Sequence, residues 1–359
     1  MVQVGMLLSD VPRSVPPAQQ LQDVLRIVGE AEQNGFSHIA IGQHFLYGDL
    51  RWMQPVPWLA RLAAHTSPGT RLVTQVMIGP LYHPVLLAEE IATLDVVTEG
   101  RLVFGVGLGY RAEEFDHLGV PYAERASRLD EMLELLPRLW TEHEVTHHGR
   151  HFHLDAVRPH IQPVQQPHPP VWVGGFAKAG ARRAGRYATA YAVPPELPPP
   201  AVAERYELVR AGLAERGIPF GPQPLRRNVL VADSAEAAVA EYARVAKGRY
   251  VTYAQRGLDV FDADQLEREF AEAVKGHVVL GTPDQVVAQL TGLVTTLPVD
   301  PLLVRPQWPT MSTDETVAAI RRLGRDVLPS ILPLPSRTDI APPAATPTAT
   351  PTGTPTATP

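Results

Sequence analysis

The sequence predicts an α/β fold and, within that class, a (β/α)8 TIM barrel with insertions. Strand-like and helix-like segments alternate from Val2 onward, and eight such units follow one another before residue 335. Polar and glycine-rich segments come directly after the predicted strands. Eight consecutive strand–helix units are typical of a closed barrel. A doubly wound sheet is the alternative, although it seldom reaches eight regular units.

The predicted strands are short apolar runs that end at glycines, prolines or polar residues. They are Val2–Leu8, His38–Gly42, Arg71–Ile78, Leu102–Val106, Val171–Val173, Thr189–Val193, Arg227–Ala232 and Pro301–Arg305.

The predicted helices carry apolar residues at helical spacing. They are Ala18–Asn34, Pro55–Thr66, Pro84–Thr98, Glu124–Glu142, Lys178–Tyr187, Pro200–Arg216, Ala235–Lys247, Thr282–Thr295 and Thr313–Asp326. Gly35 stops the first of them, and Thr282 caps a helix ahead of Pro283. The stretches His143–Pro170 and Gly248–His277 interrupt the alternation of strands and helices and are predicted insertions.

The composition restricts the possible functions. Apolar residues make up 45% of the chain, charged residues 19%, and the net charge is −6, as in an ordinary soluble globular protein. The charge shows no basic stripe, which argues against nucleic acid as a partner. The chain has no cysteine, so disulfides, thiolate metal sites and a cysteine nucleophile are excluded.

No apolar run approaches the roughly 18 residues of a membrane span, so no membrane partner is expected. The N-terminal segment predicts a first strand and not a signal peptide, and we expect a cytoplasmic protein. Residues 341–359 contain only alanine, proline, threonine and Gly353. Such a segment cannot offset the entropy of ordering. We therefore predict one folded domain over residues 1–335 and a disordered tail over 336–359.

The residues with chemical potential lie after the predicted strands. They are Gln43–His44, Pro80–His83, Gly107–Arg111, Gly174–Lys178 and Arg305–Trp308. Because active sites of a (β/α)8 barrel lie at the carboxyl ends of its strands, these segments would meet at one mouth. This convergence predicts an enzyme or a ligand-binding protein.

The glycine run Gly105, Gly107 and Gly109 does not form a dinucleotide fingerprint. Tyr110 occupies the position of the final glycine, and the run follows the fourth strand instead of the first. Close approach of the backbone to a ligand explains these glycines better.

Five segments carry a resemblance to a known family. They are IGQHF at 41–45, HPVLLAEEIATLDVVTEGRLVFGVGLGYRAEEFDHLGVP at 83–121, PVQQPHPPVWVGGFAKAGARRAGRYATAY at 163–191, VLGTPDQVVAQL at 279–290 and VRPQWPTM at 304–311. Together they resemble the bacterial luciferase-like family of flavin-dependent oxidoreductases, over nearly all of residues 1–332.

The resemblance implies a usually dimeric barrel that binds reduced FMN, or in one branch a deazaflavin coenzyme, at its mouth. It implies a monooxygenase that receives reduced FMN from a separate reductase, reacts with O2 through a flavin hydroperoxide and oxidises a small organic substrate. A deazaflavin-dependent dehydrogenase or reductase is the alternative, although that branch often carries Asp or Ser-Asp where this chain has Gln43. A non-catalytic flavin-binding protein is a further alternative.

His44 is the predicted catalytic residue, because histidine exchanges a proton near neutral pH and its position matches the active-site histidine of the family. A structural histidine is the alternative. The turn Val173–Ala179 opens a helix whose free N–H groups and positive end, with the charge of Lys178, suit a phosphate, and the phosphate site of the family falls here. A strand–helix turn that needs glycine, with a solvated lysine, is the alternative. Tyr110 and Arg111 are a second candidate for an anionic ligand, with a turn tyrosine and a surface arginine as the alternative. The predicted cofactor-binding residues are Met77, Gly107, Tyr110, Arg111, Gly174, Gly175, Phe176, Ala177 and Lys178.

Further residues are predicted to line a substrate pocket, with plain core packing as the alternative. They are Phe45, Trp52, Met53, His83 and Trp308. The first insertion holds seven of the 13 histidines, and His151 and His153 could share one strand face. We predict no metal there, because no cluster of carboxylates accompanies them, and expect a partly exposed hairpin over the barrel mouth.

Overall fold

The structure is a computed structural model that describes residues 1–8, 10–255 and 263–338. Its parallel barrel strands are β1 Val4–Leu8, β2 His38–Ile41, β3 Arg71–Thr74, β4 Leu102–Gly107, β5 Val171–Gly174, β6 Ala190–Ala192, β7 Gln223–Val231 and β8 Val299–Arg305. Their order in the sheet is β6-β5-β4-β3-β2-β1-β8-β7. A parallel bridge between Val193 and Leu225 joins the two ends. The predicted barrel is confirmed.

Helices surround the strands. They are α1 Pro17–Gln33, α2 Pro55–Ala63, α3 Pro84–Val97, α4 Ala112–His117, α5 Arg125–Thr141, α6 Lys178–Tyr187, α7 Pro199–Glu215, α8 Ala235–Gln255, α9 Ala263–Arg268, α10 Phe270–Ala273, α11 Pro283–Thr296, α12 Thr313–Asp326 and α13 Leu328–Ile331. Short 3-10 turns span Gly79–Leu81 and Tyr122–Glu124. The predicted cap of α11 is confirmed as a capping box between Thr282 and Gln285. Among the described helices, none has the length and apolar character needed to cross a bilayer.

Side chains of the barrel strands point alternately into the barrel and toward the helices. One buried layer fills the barrel and consists of Leu7, Ala40, Val73, Val103, Trp172, Ala190, Ala192 and Leu303. The larger layer lies between strands and helices and includes Met6, Ile39, Phe104, Val173 and Val304. Because both strand faces are buried, the strands read as continuous apolar runs in the sequence.

The structure differs from the prediction in several elements. The predicted strand Arg71–Ile78 is divided into β3 and a two-residue strand, Met77–Ile78. Strand β7 begins at Gln223 instead of Arg227, and α8 extends beyond Lys247. An unpredicted strand, Val278–Gly281, pairs with the outer edge of β7. Most of the predicted tail lies outside the described residues, so its disorder stays a prediction.

The histidine-rich insertion forms the predicted hairpin from Val145–His148 and His153–Val157, which pair in antiparallel fashion. Glu131 of α5 accepts hydrogen bonds from the backbone N–H groups of His151 and Phe152. The hairpin is thus attached to a helix outside the barrel. Among the described residues, no group of three or more metal-ligating side chains is assembled. A second antiparallel pair joins Val11–Pro12 to Leu50–Arg51.

Strands β3 and β4 approach each other closely at Gly105. Thr74 Oγ1 accepts from the Gly105 N–H at 2.7 Å and donates to its carbonyl at 2.8 Å. A Cβ atom at Gly105 would lie 2.0 Å from the Thr74 carbonyl oxygen. Because that oxygen belongs to the backbone of the barrel, it cannot move away without distorting β3.

Gly105→Ala is therefore expected to lower the free energy of unfolding by about 3 kcal/mol, the upper range for overpacking a core. Urea denaturation followed by circular dichroism measures it. The matched control is Gly292→Ala, at a helical position where a Cβ meets nothing within 4 Å. The control is expected to stabilise the protein by about 0.5–1 kcal/mol through helix propensity. Equal effects of the two substitutions would contradict the close-approach argument.

Candidate active site

The candidate site contains a hydrogen bond between His44, in the loop after β2, and Glu114 of α4. His44 Nδ1 lies 3.0 Å from Glu114 Oε1. The same oxygen accepts from the Phe45 N–H at 2.7 Å and from Arg111 Nη1 at 3.2 Å. Because Oε1 already accepts two hydrogen bonds from obligate donors, the imidazole donates to it through Nδ1–H. The neutral ring therefore presents an unprotonated Nε2.

Burial lowers the pKa of His44, because the charged ring would lose solvation. The hydrogen bond and the charge of Glu114 act in the opposite direction, and the positive charges of Arg111 and Arg249 lower the pKa further. The His44 side chain keeps 12% of its surface exposed. Nε2 has no hydrogen-bond partner among the described residues. His44 is thus a neutral base with one accessible nitrogen.

Aromatic rings surround the imidazole. The ring centroids of Tyr47 and Trp52 each lie 4.8 Å from that of His44, and that of Tyr110 lies at 5.6 Å. Trp52 was predicted from the sequence as a pocket wall, and it lies beside the predicted catalytic residue. Tyr47 was not predicted, since nothing in the sequence separates it from an ordinary loop tyrosine. These rings exclude water from most of the imidazole.

Arg111 is buried, with 2% of its side chain exposed. Its guanidinium donates to Glu113 and Glu114 and to the carbonyls of Phe45 and Leu46. It also lies over the Tyr47 ring, 4.6 Å from its centroid. The alternative of a surface arginine is wrong. The structure gives Arg111 a role in holding the loop after β2 to α4, and its contact with a cofactor stays a prediction.

The floor of the barrel mouth is made by Val76, Gly107 and Gly174. A Cβ at Gly107 would lie 2.8 Å from Val76 Cγ2, and one at Gly174 would lie 3.1 Å from Val76 Cγ1. Met77 pairs with Val106, whose side chain faces the helices, so Met77 faces them too. The Met77 side chain is therefore buried between strands and helices, and a contact between Met77 and a cofactor stays a prediction. The neighbouring Val76 side chain is half-buried and packs against the layer inside the barrel.

The predicted phosphate site lies at the N-terminus of α6. Ala177 is the N-cap, and no side chain caps the helix. Lys178 is half exposed and forms an ion pair with Glu204 of α7. Gly175 and Phe176, which precede the helix, are half-buried, whereas Ala177 is exposed. The structure therefore leaves the first turn of α6 accessible to an anion.

Arg205 lies at the same place and was missed by the sequence analysis. It donates to Glu204 at 2.6 Å, and its Nε is buried without a hydrogen-bond partner in the described part of the chain. The Tyr191 hydroxyl, which neighbours Arg205, donates to the Gly175 carbonyl just ahead of α6. Arg205 follows Glu204 in the middle of a helix, so only the fold shows that it reaches a strand end.

Two predicted pocket residues lie elsewhere. Trp308 is 1% exposed and packs in a separate core with Tyr242 and Phe270, so it is a core residue. His83 is exposed and caps α3, where its Nδ1 accepts from the Val85 N–H. A pocket role for Trp308 or His83 stays a prediction.

Phe45 and Met53 are half-buried. Met53 and Trp52 line a small cavity of about 20 Å³ between the ends of β1 and β2 and the first helices. That volume holds one water molecule and no organic ligand. A pocket role for Phe45, Trp52 and Met53 stays a prediction.

Comparison with known proteins agrees with this architecture. Residues 2–300 match the family described as luciferase-like monooxygenase. The crystal structure of monooxygenase RslO1 from Streptomyces bottropensis superposes with a TM-score of 0.79 at 26% identity, over 92% of this chain and 100% of that one.

Two curated relatives match the chain in part. An F420-dependent glucose-6-phosphate dehydrogenase from Microbacterium testaceum (strain StLB037) is 31% identical over 45% of this chain and 49% of its own length. The oxygenase component of a flavin-dependent trigonelline monooxygenase from Acinetobacter baylyi (strain ATCC 33305 / BD413 / ADP1) is 29% identical over 43% of each chain. The chain thus spans about half the length of the curated relatives it matches, and these include both flavin-dependent and F420-dependent enzymes.

Glu114→Gln is expected to lower the pKa of His44 further, because it removes the negative charge that favours the imidazolium. It is also expected to cost about 2 kcal/mol of stability, since Arg111 and the Phe45 N–H lose a charged acceptor. NMR titration of the His44 ring measures the first effect, and urea denaturation the second. The control is Glu113→Gln, which changes an exposed neighbour that also binds Arg111. A His44 pKa that rises, or that moves equally in the control, would contradict the assignment.

Proposed function

Since the chain belongs to the luciferase-like monooxygenase family, we propose that it is a flavin-dependent monooxygenase that uses reduced FMN and O2 to oxidise a small organic substrate. The RslO1 monooxygenase, similar over nearly the whole chain, supports the oxygenase assignment. A curated relative is the oxygenase component of a flavin-dependent system, which supports a separate reductase as the partner that delivers reduced FMN.

The observation that carries the proposal is the neutral, enclosed imidazole of His44. Glu114 fixes its tautomer, so that Nε2 is the atom able to accept a proton. When Nε2 takes a proton, the carboxylate behind Nδ1 stabilises the resulting charge. Tyr47, Trp52 and Tyr110 restrict water around this nitrogen. A protected base beside a ligand floor suits a reaction in which water competes with the organic substrate.

The residues at the mouth fit a flavin. Val76, Gly107 and Gly174 give the floor little side-chain volume, which suits a flat ring system. The uncapped N-terminus of α6, with Lys178 and the buried Nε of Arg205, offers donors and positive charge for a phosphate. Bound reduced FMN would supply the electrons for the reaction with O2.

A deazaflavin-dependent dehydrogenase or reductase is the second candidate, supported by the F420-dependent relative. The identity of the residue before His44 argues little against it. In the structure Gln43 donates to Gln54 and Tyr82 and accepts from the Ile78 N–H. Gln43 therefore stabilises the loop after β2 whether the cofactor is FMN or a deazaflavin. A non-catalytic flavin-binding protein is the third candidate.

We also propose a homodimer. Helix α3 exposes Leu86, Val96 and Val97, with 54%, 46% and 47% of their surfaces accessible. A helix that is apolar on its solvent face is more typical of an interface than of a free surface. The location in the cytoplasm stays a prediction.

Anaerobic mixing with reduced FMN and, separately, with reduced F420 distinguishes the first two candidates. We expect micromolar or tighter binding of FMN and, after O2 is admitted, a flavin absorbance transient that outlasts the oxidation of free reduced FMN. Preferential binding of F420, with hydride transfer that does not need O2, would replace the proposal by the second candidate. Tight FMN binding without a transient would favour the third.

His44→Ala is expected to shorten that transient or to reduce product formation about a hundredfold, the lower range for loss of a general base, with little change in FMN affinity. His117→Ala, at an exposed histidine near the end of α4, is the matched control. Unchanged turnover in His44→Ala would remove His44 from the mechanism.

Arg205→Met is expected to weaken FMN binding about tenfold, because a charged hydrogen bond to phosphate contributes roughly 1.5–3 kcal/mol. Riboflavin, which lacks the phosphate, is expected to bind both proteins equally. Anaerobic fluorescence titration measures both affinities. Arg210→Met changes another arginine of α7, which pairs with Glu207, and is the control. An equal loss of affinity for riboflavin would show that Arg205 acts on the fold instead of the phosphate.

A further inference from the structure

A second buried ion pair lies near His44, apart from the pair that Arg111 forms with Glu114. Arg249 of α8 donates through Nη1 to Oδ1 of Asp10, just after β1. The Arg249 side chain is 3% exposed and that of Asp10 is 0% exposed. Desolvating two charges costs several kcal/mol per ion before their attraction offsets it. A buried pair that joins residues 239 positions apart therefore needs a reason beyond general stability.

Contacts connect this pair to the catalytic ring. The guanidinium carbon of Arg249 lies 5.4 Å from the centroid of the Trp52 ring. The Trp52 ring in turn meets the His44 ring edge-to-face, with centroids 4.8 Å apart. The order of contacts is Asp10, Arg249, Trp52 and His44. A similar arrangement lies nearby, where Arg111 is over Tyr47 and Tyr47 contacts His44.

Trp52 depends on its neighbours for its position. Its Nε1 is buried and has no hydrogen-bond partner among the residues described. It also borders the cavity of about 20 Å³, which Asp10 lines as well. The Trp52 indole, whose Nε1 donates to none of the described residues, therefore depends on packing contacts for its position. The guanidinium of Arg249 is the charged group that contacts the ring, and such contacts gain strength when desolvated.

We propose that Arg249, anchored by Asp10, is a positioning residue that holds the Trp52 ring against the imidazole of His44. The inference deepens the proposed function, since it assigns a support to the residue proposed as the base. It has an electrostatic consequence, because the positive charge of Arg249 lowers the pKa of His44. The other groups facing His44 are Glu114, which raises its pKa, Arg111, which lowers it, and the phenols of Tyr47 and Tyr110.

Two substitutions are expected to change the titration of His44 in opposite directions. Arg249→Met removes a positive charge near His44, so the pKa of His44 is expected to rise. Asp10→Asn removes a negative charge that offsets the charge of Arg249, so the pKa of His44 is expected to fall. NMR titration of the His44 ring, assigned by comparison with His44→Ala, measures both without any cofactor or turnover. A pair that only stabilises the fold would lower the melting temperature in both variants and leave the titration unchanged.

Further variants distinguish the effect of the Arg249 charge from the effect of its contact with the Trp52 ring. Arg249→Lys keeps the charge and is expected to restore the His44 titration. It loses the guanidinium contact with the Trp52 ring, so kcat in the FMN-dependent reaction is expected to fall about tenfold with KM nearly unchanged. Arg244→Met, which removes an exposed arginine of α8 bound to Glu241 and Glu315, is the control and is expected to change neither quantity. Should Arg249→Met fail to fold, Arg249→Gln keeps a donor for Asp10 and is titrated instead.

An unchanged His44 titration in folded Arg249→Gln and Asp10→Asn overturns the inference even if the enzyme is an FMN monooxygenase. Opposite shifts in a protein that proves to be F420-dependent leave the inference standing and overturn only the proposed function.

Discussion

The arrangement of the site depends on one buried oxygen, Glu114 Oε1. It accepts from the His44 imidazole, the Phe45 N–H and the Arg111 guanidinium, and so ties the loop after β2 to the helix after β4. A carboxylate without exposed surface is costly unless charged or dipolar donors surround it. Here the donors that offset this cost are the His44 ring, the Phe45 N–H and the Arg111 guanidinium, and the same hydrogen bonds fix their orientation. The same contacts that make burial tolerable also decide which nitrogen of His44 carries the proton.

The second constraint is the space left at the barrel mouth. Strands β3 and β4 approach so closely that a Cβ at Gly105 has no room, and Val76 fills the gap above them. The glycines at the strand ends are thus required by close packing of the strands. As a result, few side-chain atoms project from the floor of the barrel mouth. His44 lies in the loop after β2, and Lys178 begins the helix after β5, where its ion-pair partner Glu204 also binds Arg205. This arrangement is the basis for the flat ligand with a phosphate proposed above.

The fold was largely predictable because strands buried on both faces and amphipathic helices leave clear periods in the sequence. The errors have local causes. Prolines near the start of β7 made its first residues look unlike a strand, because proline has no N–H to donate to the neighbouring strand. The break after Thr74 divides the predicted strand, and in its second part Met77 pairs with Val106, with its side chain toward the helices. His44 was predicted from its residue type, its position after a strand and the family resemblance. Glu114, Arg205 and Arg249 were not found, because the sequence does not show which of many helical charged residues point inward.

The charges around His44 define what this site can do. Two guanidinium groups, each paired with a carboxylate, lie near one imidazole, and burial adds to their effect. Burial and the two guanidinium groups therefore favour the neutral ring, whereas Glu114 favours the imidazolium. Once protonated, the ring can return that proton, because Glu114 steadies the imidazolium while the guanidinium groups oppose it. This balance of charges would suit the proposed role of His44, a base that takes up a proton and then returns it.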